Sequence, residues 1–220
     1  TFTGSSVINL TGTFITKDAE GYTGTNAAIP GLIPTVFSGY TIEYGLLGDQ
    51  AVTNTSYENI TFSGSGTKTT PSLTTITGTV LIKDAAIVDA SNNTLGGAGT
   101  KLTMTGSSKF KTAGTGTKPD MTGAYSLSGT STIEFTNSLS SQEDIRLSIV
   151  YNNIIISGSN VGITSNSSSI SMNAGSSFTV SGTGVFKNLN TTGFSGGIAT
   201  AISNTNNPTI VLSTGSVIEF

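Results

Sequence analysis

Twelve carboxylates carry most of the acid–base and metal-binding potential of this sequence: Asp18, Glu20, Glu43, Asp49, Glu58, Asp84, Asp89, Asp120, Glu134, Glu143, Asp144 and Glu219. With no His and no Cys, there is no imidazole base and no thiolate nucleophile or zinc ligand. Ser and Thr abound, but a hydroxyl nucleophile needs a base, and none is placed by spacing. Two acids facing one groove would suit glycoside cleavage. However, Glu43, Glu134 and Glu219 fall in one recurring word: Thr41-Ile42-Glu43-Tyr44, Thr132-Ile133-Glu134-Phe135 and Val217-Ile218-Glu219-Phe220. An active site occurs once, so a residue renewed in each copy is expected to be structural, pointing to solvent beside an inward neighbour. Arg146 is the single arginine, and no Lys/Arg cluster stands ready to stabilise a sugar carbanion. The reading is therefore non-enzymatic, with no catalytic, cofactor-binding or metal-ligating residue assigned and no cofactor expected.

Other candidates are weaker. Asp18-x-Glu20-Gly21 and Glu143-Asp144 offer carboxylate oxygens of the kind calcium takes, without the spacing of a known loop, and are expected to be solvated acids. Tyr44, Tyr57 and Tyr151 would make a carbohydrate platform if exposed, but their fixed place in the repeat favours packing at strand starts. Asn9, Asn54, Asn59, Asn92, Asn166 and Asn190 open Asn-x-Ser/Thr words, which chance supplies in a chain this rich in Ser and Thr. Thr67-Lys68-Thr69 resembles the Thr-x-Thr of flat ice-binding faces, but has no fixed short period.

Such residues need a scaffold, and composition points to β-structure. Only 10% of the 220 residues are charged, against about 25% in typical domains. Mean hydropathy is slightly positive, which sets the chain apart from disordered, highly charged segments. Recurrent Ile, Val, Leu and Phe between Thr and Ser suit strands. The net charge of −3 and the absence of a basic run argue against nucleic acid. No apolar stretch reaches the roughly 18–20 residues of a membrane span.

Strand words of three to six residues alternate with Gly, Ser and Asn turns, and no segment carries a capped helical period. Strands are expected at 36–44, 58–63, 73–77, 79–83, 125–135, 145–156, 210–212 and 217–218. Val80 to Ala90 reads as strand, corner, strand. Residues 17–35, 112–124 and most of 187–208 read as loops, with Ala27 to Phe37 apolar enough to cover something. Residues 1–16 suggest two short strands around Gly12.

A second word recurs: Tyr57-Glu58-Asn59-Ile60-Thr61-Phe62-Ser63-Gly64-Ser65-Gly66 and Tyr151-Asn152-Asn153-Ile154-Ile155-Ile156-Ser157-Gly158-Ser159-Asn160. The two words recur at offsets of 91 and 94 residues, and the first again after 85. These offsets define a diverged repeat of roughly 90 residues, approximately 41–131 and 132–216, with partial units at both ends of one continuous segment, 1–220. Two all-β architectures fit: a parallel β-solenoid or tandem immunoglobulin-like sandwiches. Very short strands, uneven offsets and polar corners favour the solenoid.

The Tyr-x-Asn-Ile-x-Ile/Phe-Ser-Gly-Ser-Gly word is followed by Thr-x-Thr, Gly-Thr-Val-Leu-Ile, Ile-Val-Asp-Ala and Leu-Thr-Met-Thr-Gly. This succession resembles the repeats of very large secreted surface proteins of Bacteroidota. Residues 57–110 match best and 151–186 more loosely. Ala85-Ala86 stands where the family has Gly-Ala. The resemblance implies a right-handed parallel β-helix, here of about ten coils spanning roughly 45–50 Å. It also implies export by the type 9 secretion system, a place outside the cell or on its surface, and a stalk or adhesin role linked to cell adhesion and gliding motility. It brings no catalytic residue. Partners on this reading are neighbouring repeats of the same polypeptide, with surface glycans or the anchoring machinery as further candidates. The alternatives are a carbohydrate-active β-helix enzyme and a lectin-like module. The chain starts and ends inside repeats, so it is expected to be an internal slice or processed product whose ends pair with neighbouring coils.

Overall fold

The computed structural model describes residues 9–10, 12–24, 26–30, 35–36, 39–71, 73–164 and 167–220. The segment Phe2 to Ser6, Pro34, Phe37 and the Asn166 sequon lie outside them.

Alternation of apolar and polar residues sends successive side chains to opposite faces of a strand. Thr41–Tyr44, Thr79–Ile82, Lys109–Thr112 and Thr132–Phe135 all follow it, with every second residue buried. Every strand pairing among the described residues is parallel. The chain is all-β, and antiparallel immunoglobulin-like sandwiches are ruled out.

Three sheets hold most strands. The first contains Thr13–Thr16, Thr41–Tyr44, Asn59–Phe62, Thr79–Ile82, Lys101–Met104 and Tyr125–Leu127, in that spatial order. The second runs Gln50–Ala51, Thr67–Thr69, Ile87–Asp89, Lys109–Thr112, Thr132–Phe135, Val150–Ile156, Ser171–Val180 and Thr209–Leu212. The third runs Gly116–Lys118, Glu143–Ile145, Val161–Gly162, Val185–Lys187 and Val217–Glu219. Smaller parallel pairs join Asn9–Leu10 to Thr35–Val36, Thr23–Gly24 to Ile29–Pro30, and Leu73–Thr74 to Thr94–Leu95. The chain moves from sheet to sheet and returns to pair beside its own earlier strand, so sequence order is spatial order within each sheet.

The core lies between the sheets as columns of like residues. Ile42, Ile60, Val80 and Leu102 occupy one register row, and Tyr44, Phe62, Ile82 and Met104 another; all are fully buried. On the second sheet Phe135, Ile156 and Val180 form a third such row. Parallel register places each apolar residue on the equivalent residue of the next pass, and this stacking replaces a single globular core.

The loop expectations need two corrections. Gly116–Lys118, inside the expected 112–124 loop, is a strand opening the third sheet. Within the expected 17–35 loop, Thr23–Gly24 and Ile29–Pro30 are short paired strands, and the burial of Tyr22, Ala27 and Ile29 agrees with the expectation that the apolar stretch from Ala27 covers something. Ser171–Val180 is one ten-residue strand where short words were expected, because its partner Val150–Ile156 is also long and the two pair across a register shift. The described helical structure is one turn, Asn204–Asn206.

Candidate functional site

The two recurring words meet as neighbours. Thr41 pairs with Asn59 and Tyr44 with Phe62 on the first sheet; Thr132 pairs with Asn153 and Phe135 with Ile156 on the second. The roughly 90-residue periodicity reproduces one contact between successive passes, placed on a different sheet each time. The third copy, Val217–Glu219, lies on the third sheet.

The polar residues of the words lock that contact. The Asn59 amide donates to the Tyr40 carbonyl (3.1 Å) and accepts from the Thr79 N–H (3.0 Å). Asn153 donates to the Thr130 carbonyl (3.1 Å) and accepts from the Ser177 N–H (3.0 Å). Each asparagine therefore ties the pass before it to the pass after it. The glutamates act the same way. Ser63 Oγ donates to Glu43 (2.5 Å) and Lys83 stands 3.2 Å away; Ser157 Oγ donates to Glu134 (2.8 Å), which Lys109 meets at 2.9 Å. Glu219 reaches Lys187 at 3.9 Å, more loosely and more exposed.

The expectation that these glutamates are structural and point to solvent holds for Glu219, whose side chain is 54% exposed, and is corrected for Glu43 and Glu134. They leave the core side of their strands, but the Glu43 and Glu134 side chains are only 16% and 13% exposed because the next passes cover them. Burial alone would raise the Glu134 pKa. Hydrogen bonds from Lys109 and Ser157, with the charges of Lys109 and Lys111, outweigh it and hold the carboxyl below its ordinary value.

Tyr44, Tyr57 and Tyr151 are at most 1% exposed, so they form no carbohydrate platform. Their hydroxyls bind inside: Tyr44 and Tyr57 meet at 2.7 Å, Tyr57 donates to the Thr53 carbonyl and Tyr151 to the Arg146 carbonyl. Glu143 and Asp144 are adjacent in sequence but point to opposite faces of their strand. Glu143 is fully buried, and Asp144 accepts from Gln142 (2.7 Å). Asp18 accepts from the Glu20 N–H, a local turn. Among the described residues no three of His, Cys, Asp or Glu come together as a metal site, and no helix is long and apolar enough to cross a membrane.

Comparison with family models, curated proteins and solved structures finds no match.

Two ionisable residues are fully buried, and for one of them, Glu143, this corrects the expectation of a solvated loop acid, because it lies on the inward side of a strand. Lys68 occupies the inward row of the second sheet, between Gln50 and Val88. Its ammonium donates to the carbonyls of Leu46 (2.7 Å), Gly48 (2.8 Å) and Ser65 (2.9 Å). Burial pushes its pKa down, partly offset by the Asp49 charge. The Thr-x-Thr flanks of Lys68 therefore face outward, and the lysine between them is a core residue. Glu143 occupies the inward row of the third sheet. Lys118, two positions along the preceding strand of that sheet, is also buried and pairs with Asp120 at 2.7 Å. Alternation gives two possible phases, and neither residue type announces that it is the inward one.

Proposed function

We propose that this chain is a right-handed parallel β-helix segment of a large secreted or cell-surface repeat protein, and that it works as a non-enzymatic stalk or adhesin module. One observation carries the reading: the side chains repeated along the sequence are spent on holding each pass to the next. Asn59 and Asn153 bridge successive passes, Glu43 and Glu134 are clamped by Ser and Lys, and the tyrosines are inside. A sequence that repeats its inter-pass contacts specifies length and stiffness. Thr209–Leu212 and Val217–Glu219 are sheet edges, with Leu212 and Val217 exposed; neighbouring repeats of the same polypeptide are the proposed partners there. Secretion through the type 9 system and a role in adhesion or gliding rest on the resemblance of the 57–110 words to surface repeats.

Antibodies against residues 1–220 should label intact cells of the source organism. Labelling confined to permeabilised cells would overturn the surface assignment. Release of reducing ends from a polysaccharide panel by the purified chain would replace the structural role with an enzymatic one.

A further inference from the structure

Glu143 stands where the apolar pattern calls for a hydrocarbon. Its register partner on the third sheet is Val161, followed in the same row by Phe186 and Ile218. It is 0% exposed. One carboxyl oxygen, Oε2, accepts the Asn137 N–H at 3.2 Å; the other, Oε1, is buried with no hydrogen-bond partner. An ionised carboxylate so placed would have only this N–H and the Thr112 hydroxyl against its burial, and nothing on Oε1, which is too little to make a buried anion tolerable.

The surroundings give it little charge compensation. From the preceding strand and its exit, Lys118 and Asp120 face this region, but they are paired with each other. Thr112 contributes a hydroxyl. From the following pass come Asn160 and Val161, both uncharged. On its own strand Asp144 is held by Gln142, and the Arg146 Nε donates to the Pro119 carbonyl. Burial is the largest influence on the carboxyl.

The hydrogen bond to Asn137 spans the exposed corner 136–142. Asn137 is the hub of that corner: its amide donates to the Ser141 and Asn160 carbonyls, and its Oδ1 accepts from Leu139. Asn160 Nδ2 donates to the Leu139 carbonyl (2.7 Å). Glu143 thus joins the end of the corner to its beginning, while Ser138, Leu139, Ser140 and Ser141 face solvent.

We propose that Glu143 is a proton-operated latch on this corner. As the neutral acid it packs in the third-sheet row and holds Asn137; when a buffer base removes the carboxyl proton, the resulting anion leaves the row for water and the corner opens. Glu143→Gln keeps the shape and the acceptor for Asn137 but cannot ionise, so it is permanently latched.

The test is amide hydrogen exchange of the whole chain between pH 6.5 and 9.5, with protection factors corrected for the intrinsic base-catalysed rate. In the wild type, protection at Asn137 and Leu139 should fall about tenfold for each pH unit up to the carboxyl midpoint and level off above it, while Ile82 and Val180 stay protected. In Glu143→Gln, protection at Asn137 and Leu139 should not change with pH. The same loss in both proteins would overturn the latch. Should the variant fail to fold, the ¹³C shift of the Glu143 carboxyl in the wild type decides alone. Titration well above the ordinary glutamate range supports the proposal, and titration within that range overturns it.

Discussion

Lys68 and Glu143 are the same problem solved in opposite ways. Each is an ionisable residue with no exposure in an inward row; beside Lys68 stand Gln50 and Val88, and beyond Glu143 the row continues as Val161, Phe186 and Ile218. Around Lys68 the backbone supplies three carbonyls between 2.7 and 2.9 Å, so the charge stays and is dispersed. Around Glu143 the backbone supplies a single N–H, and one oxygen has nothing. The difference follows from what a corner exposes to its interior. The turns at 46–48 and 65 aim carbonyls inward, which suits a cation. At the third-sheet corner the Asn137 and Asn160 side-chain amides donate to backbone carbonyls, which leaves a carboxyl to solve its problem with a proton. Both regions are tightly built. Gly66 has a left-handed φ of 71°, and a Cβ there would fall on the Gly48 backbone; a Cβ at Gly158 would fall on the backbone of Thr136 and Asn137.

This contrast can be sharpened first with pH. Burial pushes the Glu143 carboxyl up to about 8, with the Asn137 N–H, the Thr112 hydroxyl and the Lys118 charge only partly offsetting it. A folded value above the unfolded one means that the folded chain holds the proton longer. The stability this gives is complete below the unfolded value of about 4.5 and fades by about 1.4 kcal/mol per pH unit. It is lost by about pH 8, a change of about 5 kcal/mol in all. Urea denaturation at fixed pH steps should show the decline in the wild type, and Glu143→Val should remove it. An unchanged slope in Glu143→Val would assign the titration to another group. Glu134 works in the other direction. Its depressed pKa contributes stability above the ordinary glutamate range, lost as the pH falls through the folded value.

Lys68→Met tests the other half of the comparison. It keeps the apolar stem but leaves three inward carbonyls without their shared donor, and should cost about 3 kcal/mol in chemical denaturation at pH 7. A cost below about 1 kcal/mol would mean that water or a local shift replaces the ammonium. Gly158→Ala should cost about 2 kcal/mol by forcing the two stacked corners apart. Its effect should include weaker exchange protection at Asn137, with Lys68 and its carbonyls untouched. The smallest effect belongs to the outer pairs. Lys109→Ala, which releases Glu134, should cost about 0.5–1 kcal/mol, less at high salt, because the pair is partly open to water. A larger, salt-independent loss would place that pair among the buried charges.

What the sequence determined by itself was the element type and the packing vocabulary. Alternation in Thr41–Tyr44 and Thr132–Phe135, Gly and Ser corners, and the absence of a helical period are local properties, and local sterics suffice to read them as short strands. The word Tyr-x-Asn-Ile also declared that some contact was being repeated. Which contact it was belongs to the tertiary structure. The two words are about 20 residues apart in the chain but adjacent in space, and the second meeting is on another sheet. A periodicity of about 90 residues therefore marks a repeated neighbour relation, not a repeated position. Likewise, phase decided the fate of the ionisable residues. A one-residue step turns a side chain from water to core, and nothing in Thr67-Lys68-Thr69 or Glu143-Asp144 fixes that step. Only pairing with the strands before and after places Lys68 and Glu143 inward, because register is a property of the stacked passes and not of any one of them.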